Sequence, residues 1–165
     1  AHRNHVLDFS SVPARVQQAT AEQAIRTAHA IAEKMELVGL LCIEFFVGKD
    51  GKVRVNEMAP RPHNSGHWTL EGSVTSQFEQ QLRAVLGLKL GSTELLRPTA
   101  MANVLGDVWQ KGEPNWAAVL CDPHVKWHDY GKKDAKPGRK MGHLTSVGQS
   151  AEEALSRVAK ARSLL

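Results

Sequence analysis

Apolar residues recur at the period of an α-helix in three segments of the chain, so that each segment carries one apolar stripe. Each segment opens on Ser or Thr with Gln or Glu three residues later, which is the spacing of a capping box. The pattern therefore predicts three amphipathic helices. They run from Thr20 to about Glu36, from Ser76 to Gly87, and from Ser150 through Ala159.

Between the helical segments, runs rich in β-branched and aromatic residues predict strands. The first two runs flank Gly48-Lys49-Asp50-Gly51, and an Asp-Gly pair between two such runs is a strong signal for a hairpin. A change of character between Gly91 and Pro98 predicts a boundary between an α+β first part and a smaller second part. The predicted strands cover residues 39–47, 52–58, 101–108, 124–130 and 140–147.

The hairpin predicts that two glutamates face each other. If Asp50-Gly51 is a two-residue turn, Phe46 lies opposite Val55, and Glu44 lies opposite Glu57. Both carboxylates then project from one face of the hairpin, with Cβ atoms roughly 4.5–5.5 Å apart. Like charges in this position are destabilising without compensation. A bound hard cation such as Mg²⁺ would supply that compensation.

An alternative remains open for this pair. A three-residue turn would instead place Glu44 opposite Asn56, because a shift of one residue exchanges the two faces of a strand. The two glutamates would then be unrelated acids on an exposed sheet surface.

The loop that follows the second strand is rich in hydrogen-bond donors. Pro60 and Pro62 stiffen it, and Arg61, His63, Asn64 and Ser65 supply its polar groups. A stiff loop of this kind beside a carboxylate strand suits an anionic substrate. The spacing of His63 and His67 would also suit zinc ligands on a helix, although the prolines argue against a helix here. A plain polar surface loop is the third interpretation.

The net charge of +4 is confined to one segment of this 165-residue chain. Residues 126–140 contain six of the 21 cations and two of the 17 anions, so the remaining 15 cations and 15 anions cancel. A local basic cluster indicates a bound anion. The alternative is an anion- or nucleic-acid-binding basic module without catalytic activity, but only Trp127 and Tyr130 interleave these cations.

Composition excludes several classes of protein. No stretch approaches the roughly 18–20 apolar residues that cross a bilayer. Apolar residues make up 42% of the chain, which is too many for a disordered protein, and two cysteines do not form a disulfide scaffold. Since the sequence shows no secretory signal, a cytoplasmic location is expected.

Three ordered blocks of sequence resemble one known family. The stretch Val55–Thr69, with Ser76–Glu79 and Pro137–Leu144, is similar to the signature of 5-(carboxyamino)imidazole ribonucleotide synthase, an ATP-grasp enzyme of purine biosynthesis. The opening run His2–Ala14 resembles the segment that leads out of the family's nucleotide-binding lobe. The resemblance spans nearly the whole chain.

The resemblance implies a fold and an activity. Residues 1–96 would form the C-terminal lobe of an ATP-grasp domain, with an antiparallel sheet and helices, and residues 97–165 a small α/β domain. The family enzyme uses ATP, bicarbonate and Mg²⁺ to carboxylate 5-aminoimidazole ribonucleotide through a carboxyphosphate intermediate. Family members are larger and are expected to be homodimers that bind neither nucleic acid nor membrane. We therefore expect the chain to lack the family's N-terminal part and to be inactive alone.

The resemblance also assigns residues to ATP, its metal and the transferred group. Glu44 and Glu57 would bind Mg²⁺, and Glu57 would also contribute to the ATP site. Asn56 and His2 would lie beside the nucleotide. Arg61 would be a catalytic residue that holds bicarbonate or the transferred phosphoryl group.

The remaining assignments concern the ribonucleotide. His63 and Asn64 would be catalytic as well as substrate-binding, because the family places them against the imidazole ribonucleotide, and Ser65 would bind substrate beside them. Three cations of the basic segment would bind the 5′-phosphate of the ribonucleotide: Lys132, Arg139 and Lys140.

Overall fold

A computed structural model describes residues 1–3 and 6–165, so two residues of the opening family-like block, 4 and 5, lie outside the described part. The chain forms two compact units. The hairpin unit comprises Arg15–Leu70 and Val74–Glu94. The sheet unit comprises Ala1–Ala14, Glu71–Ser73 and Leu95–Leu165, so it groups the first residues of the chain with the last. The division at residue 96 suggested by the family stays a prediction.

The described residues contain strands and α-helices in a mixed order, together with 3₁₀ turns at Asn64–Gly66 and Gly106–Lys111. The strands are β1 (His2–Arg3), β2 (Val6–Leu7), β3 (Phe9–Val12), β4 (Cys42–Val47), β5 (Val53–Ala59), β6 (Thr99–Leu105), β7 (Val125–Asp129) and β8 (Lys140–Val147). The helices are α1 (Gln18–Lys34), α2 (Thr69–Gly72), α3 (Gln77–Val85), α4 (Trp116–Val119) and α5 (Ala151–Arg162).

The sheet unit is built on four antiparallel strands in the order β3-β6-β8-β7, against which α5 packs. Side chains alternate between the two faces of a strand, so every second residue of β6 enters the same core. On α5 the buried residues recur at helical spacing and meet that face. The core members from β6, β8 and α5 are Ala100, Ala102, Val104, Leu144, Ala154, Val158 and Ala161.

Three tryptophans extend this core. Trp109, Trp116 and Trp127 are partly buried and pack against it, and the rings of Trp116 and Trp127 stack with centroids 4.5 Å apart. Glu113 accepts hydrogen bonds from the indole N–H groups of Trp109 (3.1 Å) and Trp116 (2.8 Å). Because buried indole nitrogens need an acceptor, this carboxylate completes the cluster. Trp127 therefore serves the core, which weakens the nucleic-acid interpretation of the basic segment.

The hairpin unit contains α1, α3 and the β4–β5 hairpin, whose turn differs from the prediction. Gly48 N–H donates to Lys52 O (3.0 Å), and Gly51, with φ of 73°, donates to Gly48 O (2.9 Å). Three residues therefore lie between the closing pair, and the predicted two-residue turn is wrong. As a result Phe46 lies opposite Arg54, not opposite Val55.

At two of the three predicted capping boxes, the serine N-cap is confirmed. The Ser76 and Ser150 hydroxyls accept hydrogen bonds from the backbone N–H groups of Glu79 (3.3 Å) and Glu153 (3.1 Å). The prediction at Thr20 is wrong: α1 begins two residues before it, and its N-cap, Gln17, makes no capping hydrogen bond through its side chain.

Three predicted strands are shorter in the structure. The strand predicted over 39–47 is β4, which begins only at Cys42, and the strand predicted over 124–130 is β7, which covers Val125–Asp129. The strand predicted over 101–108 is β6, which begins earlier, at Thr99, and ends at Leu105 before a 3₁₀ turn. Among the described residues, no helix combines the length and the apolar character that crossing a bilayer requires.

An ion-pair cluster joins α5 to the segment that precedes β7. Asp122 Oδ1 accepts from His124 N–H (2.9 Å) and from Arg157 Nη1 (3.1 Å), and Arg157 also bonds Glu153 (2.7 Å). The His124 backbone N–H, followed by the His124 side chain and Arg157, holds the pKa of Asp122 below its ordinary value. A depressed carboxyl pKa stabilises the fold above the unfolded pKa, and that stabilisation is lost as the pH falls through the folded pKa.

We expect Asp122→Asn to lower the Tm at pH 7 by about 2–4 °C, the shift that roughly 1 kcal/mol produces in a chain of this size. The difference should begin to shrink near pH 4, the ordinary pKa of the carboxyl, and close as the pH falls through the lowered folded pKa, because the parent carboxyl is then protonated too. Thermal unfolding followed by circular dichroism from pH 3 to 8 measures this. Asp134→Asn, at an exposed position, is the control; a gap between parent and Asp122→Asn that did not close in acid would contradict the prediction.

Candidate active site

A β-bulge brings the two glutamates of the hairpin opposite each other. Near the turn Phe45 pairs with Val55, but after the irregularity between Glu44 and Phe45 the pairing is Glu44 with Glu57. Asn56 is the additional residue on β5. Since a bulge changes the register by one residue, it cancels the shift that the three-residue turn introduces. The predicted pairing of Glu44 with Glu57 is thus confirmed, although the turn on which that prediction rested is wrong.

The two carboxylates lie on one face of the hairpin, on either side of His63. The imidazole Nδ1 is 3.6 Å from Glu44 Oε1, and Nε2 is 3.9 Å from Glu57 Oε1. The side chains of His63 and Glu44 are 12% and 19% exposed, whereas Glu57 is 56% exposed. Asn56 Nδ2 donates to Glu44 Oε2 over 3.4 Å. The structure therefore brings four of the predicted site residues together at one point.

A short chain of hydrogen bonds fixes the tautomer of His63. The Ser65 backbone N–H, which can only donate, bonds His63 Nδ1 (3.4 Å), and the Ser65 hydroxyl lies 2.8 Å from the same nitrogen. A neutral imidazole whose Nδ1 accepts carries its proton on Nε2, the nitrogen nearer Glu57. The Cys42 Sγ atom lies 3.5 Å from the Ser65 hydroxyl. Because burial raises the pKa of the Cys42 thiol, that thiol keeps its proton at neutral pH and can donate it to Ser65.

The other predicted residues of the loop make contacts with residues close to them in sequence. The Arg61 guanidinium is exposed and donates to Pro62 O (3.0 Å), and Asn64 opens the 3₁₀ turn that separates His63 from His67. No helix therefore carries both histidines. Among residues 1–3 and 6–165, no group of three or more His, Cys, Asp or Glu side chains could hold a metal ion, so the zinc interpretation has no ligand set there.

The other predicted residues belong to the sheet unit. His2 is exposed on β1, with its Cα paired opposite Leu7. Lys132 Nζ donates to Lys140 O (2.6 Å) and lies 5.5 Å from the centre of the Tyr130 ring. Arg139 is exposed, and its Nη1 donates to Asp134 O (3.2 Å). Two of the three predicted phosphate-binding cations, Lys132 and Lys140, are therefore in contact.

Sequence reasoning gave no role to Gln77, which holds the loop at His63 through both side-chain atoms, Oε1 (3.0 Å) and Nε2 (2.9 Å). The available signal was its place in the second family-like block, directly after the Ser76 cap. Cys42 was also missed, because its contact with Ser65 joins residues 23 positions apart.

Comparison with known proteins gives matches along most of the chain. A model of the ATP-grasp domain matches residues 1–78, and a model of the phosphoribosylaminoimidazole carboxylase C-terminal domain matches residues 99–157. The N5-carboxyaminoimidazole ribonucleotide synthase of Bacillus subtilis is 45% identical over 157 residues, which are 95% of this chain and 40% of the relative. The Aquifex aeolicus synthase is 42% identical over 164 residues, or 99% of this chain and 43% of the relative.

The chain belongs to the N5-carboxyaminoimidazole ribonucleotide synthase family. The predicted family and the predicted fold class, antiparallel sheets with helices, are confirmed. The chain spans about two fifths of the length of these curated relatives.

Solved structures of synthase family members agree with this assignment. An ADP complex of one synthase matches 98% of this chain and 42% of its own length, with a TM-score of 0.88 and 40% identity. The Aspergillus clavatus synthase, solved with ADP and 5-aminoimidazole ribonucleotide, matches 99% of this chain and 45% of its own length, with a TM-score of 0.90 and 32% identity.

Proposed function

We propose that the chain is the part of an N5-carboxyaminoimidazole ribonucleotide synthase that supplies its metal-binding carboxylates and its substrate loop. The enzyme would carboxylate the amine of 5-aminoimidazole ribonucleotide with ATP and bicarbonate, through carboxyphosphate, in the purine pathway of the cytoplasm. The observation that carries the proposal is the facing pair Glu44 and Glu57 beside His63. A homodimer is part of the same proposal, by analogy with the family.

The residues of the hairpin fit a magnesium ion. Glu44 and Glu57 present carboxylate oxygens on one face, and Asn56 adds an amide next to Glu44. Hard oxygen ligands of this kind are what Mg²⁺ prefers, with the rest of its shell filled by water and phosphate. When bound, the ion would offset phosphate charge and polarise the phosphoryl group.

The loop would position the reacting groups. The exposed Arg61 guanidinium matches the planar oxygens of bicarbonate or a transferred phosphoryl group, which it can bind through two parallel hydrogen bonds. Because His63 Nδ1 accepts from Ser65, the Nε2–H group is the donor that His63 offers to a substrate oxygen. We assign Asn64, the next residue of the 3₁₀ turn, to the ribonucleotide together with His63.

The basic segment would bind the 5′-phosphate of the ribonucleotide. Lys132 and Lys140 are in contact through an ammonium-to-carbonyl hydrogen bond, and Arg139 is exposed beside Lys140. Clustered Lys and Arg side chains commonly bind phosphate in proteins, and this tendency supports the assignment. We assign His2, exposed on β1, to the nucleotide.

The proposed function is tested by exchange of segments. A hybrid in which this chain replaces the matched segment of the Bacillus subtilis synthase should form ADP from ATP only when bicarbonate and 5-aminoimidazole ribonucleotide are both present. The 165 residues alone should show no such turnover. A hybrid that folds and binds ATP but shows no ribonucleotide-dependent turnover would contradict the proposed function. Turnover by the 165 residues alone would contradict the proposal that they form only part of the active site.

Removal of one charge from the glutamate pair tests the metal assignment. In the hybrid we expect Glu57→Gln to lower kcat by about 100-fold or more, the scale of losing a preorganised electrostatic contact at the reacting phosphate. The concentration of Mg²⁺ needed for half-maximal rate should rise as well, since one ligand has lost its charge. Steady-state rates over a magnesium titration measure both effects. Glu33→Gln, an exposed position on α1, is the matched control and should leave both unchanged.

The phosphate assignment predicts a different kinetic signature. Arg139→Ala should raise the KM for 5-aminoimidazole ribonucleotide by about 10-fold, the effect of losing roughly 1.4 kcal/mol of binding, and should leave the KM for ATP unchanged. Lys133→Ala removes an exposed cation of the same segment and should change neither constant. An equal effect of the two substitutions would indicate a diffuse charge effect instead of a phosphate contact.

A further inference from the structure

The side chain of Gln77, the first residue of α3, is folded into the loop that carries Arg61, His63 and Asn64. Gln77 is 7% exposed. Its Oε1 accepts from His63 N–H (3.0 Å), and its Nε2 donates to His63 O (2.9 Å). The amide thus pairs with both backbone groups of one residue, as a neighbouring β-strand would. The same Nε2 lies 2.8 Å from His67 Nδ1.

The backbone of Gln77 fixes the far end of the same loop. Its N–H group donates to Thr69 Oγ1 (3.0 Å), and the Thr69 hydroxyl donates to Gly66 O (2.7 Å). His63, Gly66, His67 and Thr69 are therefore held, directly or through one hydroxyl, by a single residue. A loop tied at so many points from one position has its conformation set there.

Gly66 allows this close approach. A Cβ atom added at Gly66 would lie 2.6 Å from Gln77 Oε1 and 3.0 Å from Gln77 Cδ, closer than side chains tolerate. The amide group of Gln77 therefore lies directly against Gly66. Glycine is needed here for space.

The helix carries a second glutamine that makes the same kind of contact elsewhere. Gln80 Nε2 donates to Gly91 O (2.8 Å), and Gly91 N–H donates to Gln80 Oε1 (3.0 Å). Gln80 thus pairs with both backbone groups of a residue that lies outside the site loop. The two side chains are matched in chemistry and differ in which loop they hold.

We propose that Gln77 is a positioning residue for the carboxylation reaction: it holds His63 and the loop that carries Arg61 and Asn64 in the conformation that meets the substrate. This inference rests on the proposed function. Only a side chain with both a donor and an acceptor can pair with the His63 N–H and C=O groups together, so glutamate and methionine cannot replace it. Gln77 touches no reacting group, and its effect passes through His63.

Kinetics of the hybrid enzyme test the positioning role. Gln77→Met keeps the side-chain volume and removes all three side-chain hydrogen bonds, and we expect it to lower kcat/KM for 5-aminoimidazole ribonucleotide by about 10- to 100-fold. The KM for ATP should not change. Gln80→Met should lower the Tm about as much as Gln77→Met does. It should leave kcat/KM for 5-aminoimidazole ribonucleotide and the KM for ATP near the parent values. Equal kinetic losses in the two variants, or none in Gln77→Met, would overturn the proposal.

Coupling to Gly66 adds a second readout. Gly66→Ala should displace the Gln77 amide, so its effect on kcat/KM and that of Gln77→Met should be less than additive when the two are combined. Because residues in contact are also coupled in stability, the Tm of the same variants is measured beside kcat/KM to separate the two effects. Fully additive losses would therefore count against a shared action through the loop.

Amide hydrogen exchange in the 165-residue chain decides the structural part without any activity. Gln77→Met should accelerate exchange at the His63 N–H, and Gln80→Met should do so at the Gly91 N–H instead. If the parent hybrid has no ribonucleotide-dependent turnover, the proposed function fails. This exchange experiment still reports on the hydrogen bonds between Gln77 and His63. Unchanged exchange at His63 in Gln77→Met would overturn the proposal even in an active hybrid.

Discussion

Two carboxylates held opposite each other on neighbouring strands repel, and the hairpin holds Glu44 and Glu57 in this position. A sequence under selection for stability alone would place an opposite charge or a β-branched pair there. The chain instead places Asn56 and His63 against the pair, and both are groups that can donate hydrogen bonds to carboxylates. Under the proposed magnesium assignment, a bound divalent cation would offset this repulsion.

That arrangement depends on a compensation between the turn and the bulge. A three-residue turn alone would put Glu44 opposite Asn56, and a bulge alone would shift the pair in the other sense. Together they restore the pairing of Glu44 with Glu57 while adding Asn56 to the site. Insertion or deletion of one residue in the turn would therefore separate Glu44 from Glu57, whereas most surface hairpins tolerate such changes.

The sequence predicts the parts of this protein that local chemistry determines. The Ser76 and Ser150 caps follow from a hydroxyl and a backbone N–H three residues apart. The strand predicted over 140–147 is observed as β8 over Lys140–Val147. Thr20 fails as a cap because nothing local distinguishes it from a residue in the first turn of a helix that begins at Gln18. The bulge has no signal of its own in the sequence.

Long-range contacts were less accessible still. The hydrogen bonds between Gln77 and His63 join residues 14 positions apart, and the Cys42–Ser65 contact joins residues 23 positions apart. Neither spacing corresponds to the period of a helix or of a strand. The family-like blocks marked Gln77 and Ser65 as belonging to the pattern, but only the structure shows what each one touches.

The pairing of β3 with β6 is the extreme case, because it brings Phe9 opposite Ala102. Closing a loop of this length costs about 4 kcal/mol by the logarithmic rule, and edge pairing with one strand returns little of it. Arg162 adds contacts beside this pairing: its guanidinium lies 3.9 Å from the centre of the Phe9 ring and forms an ion pair with Asp8. Arg162 is the last residue of α5, and it lies 154 positions after Asp8. The segment at β3 is therefore held by the distant helix α5 as well as by β6, and no local pattern in the sequence could predict either contact.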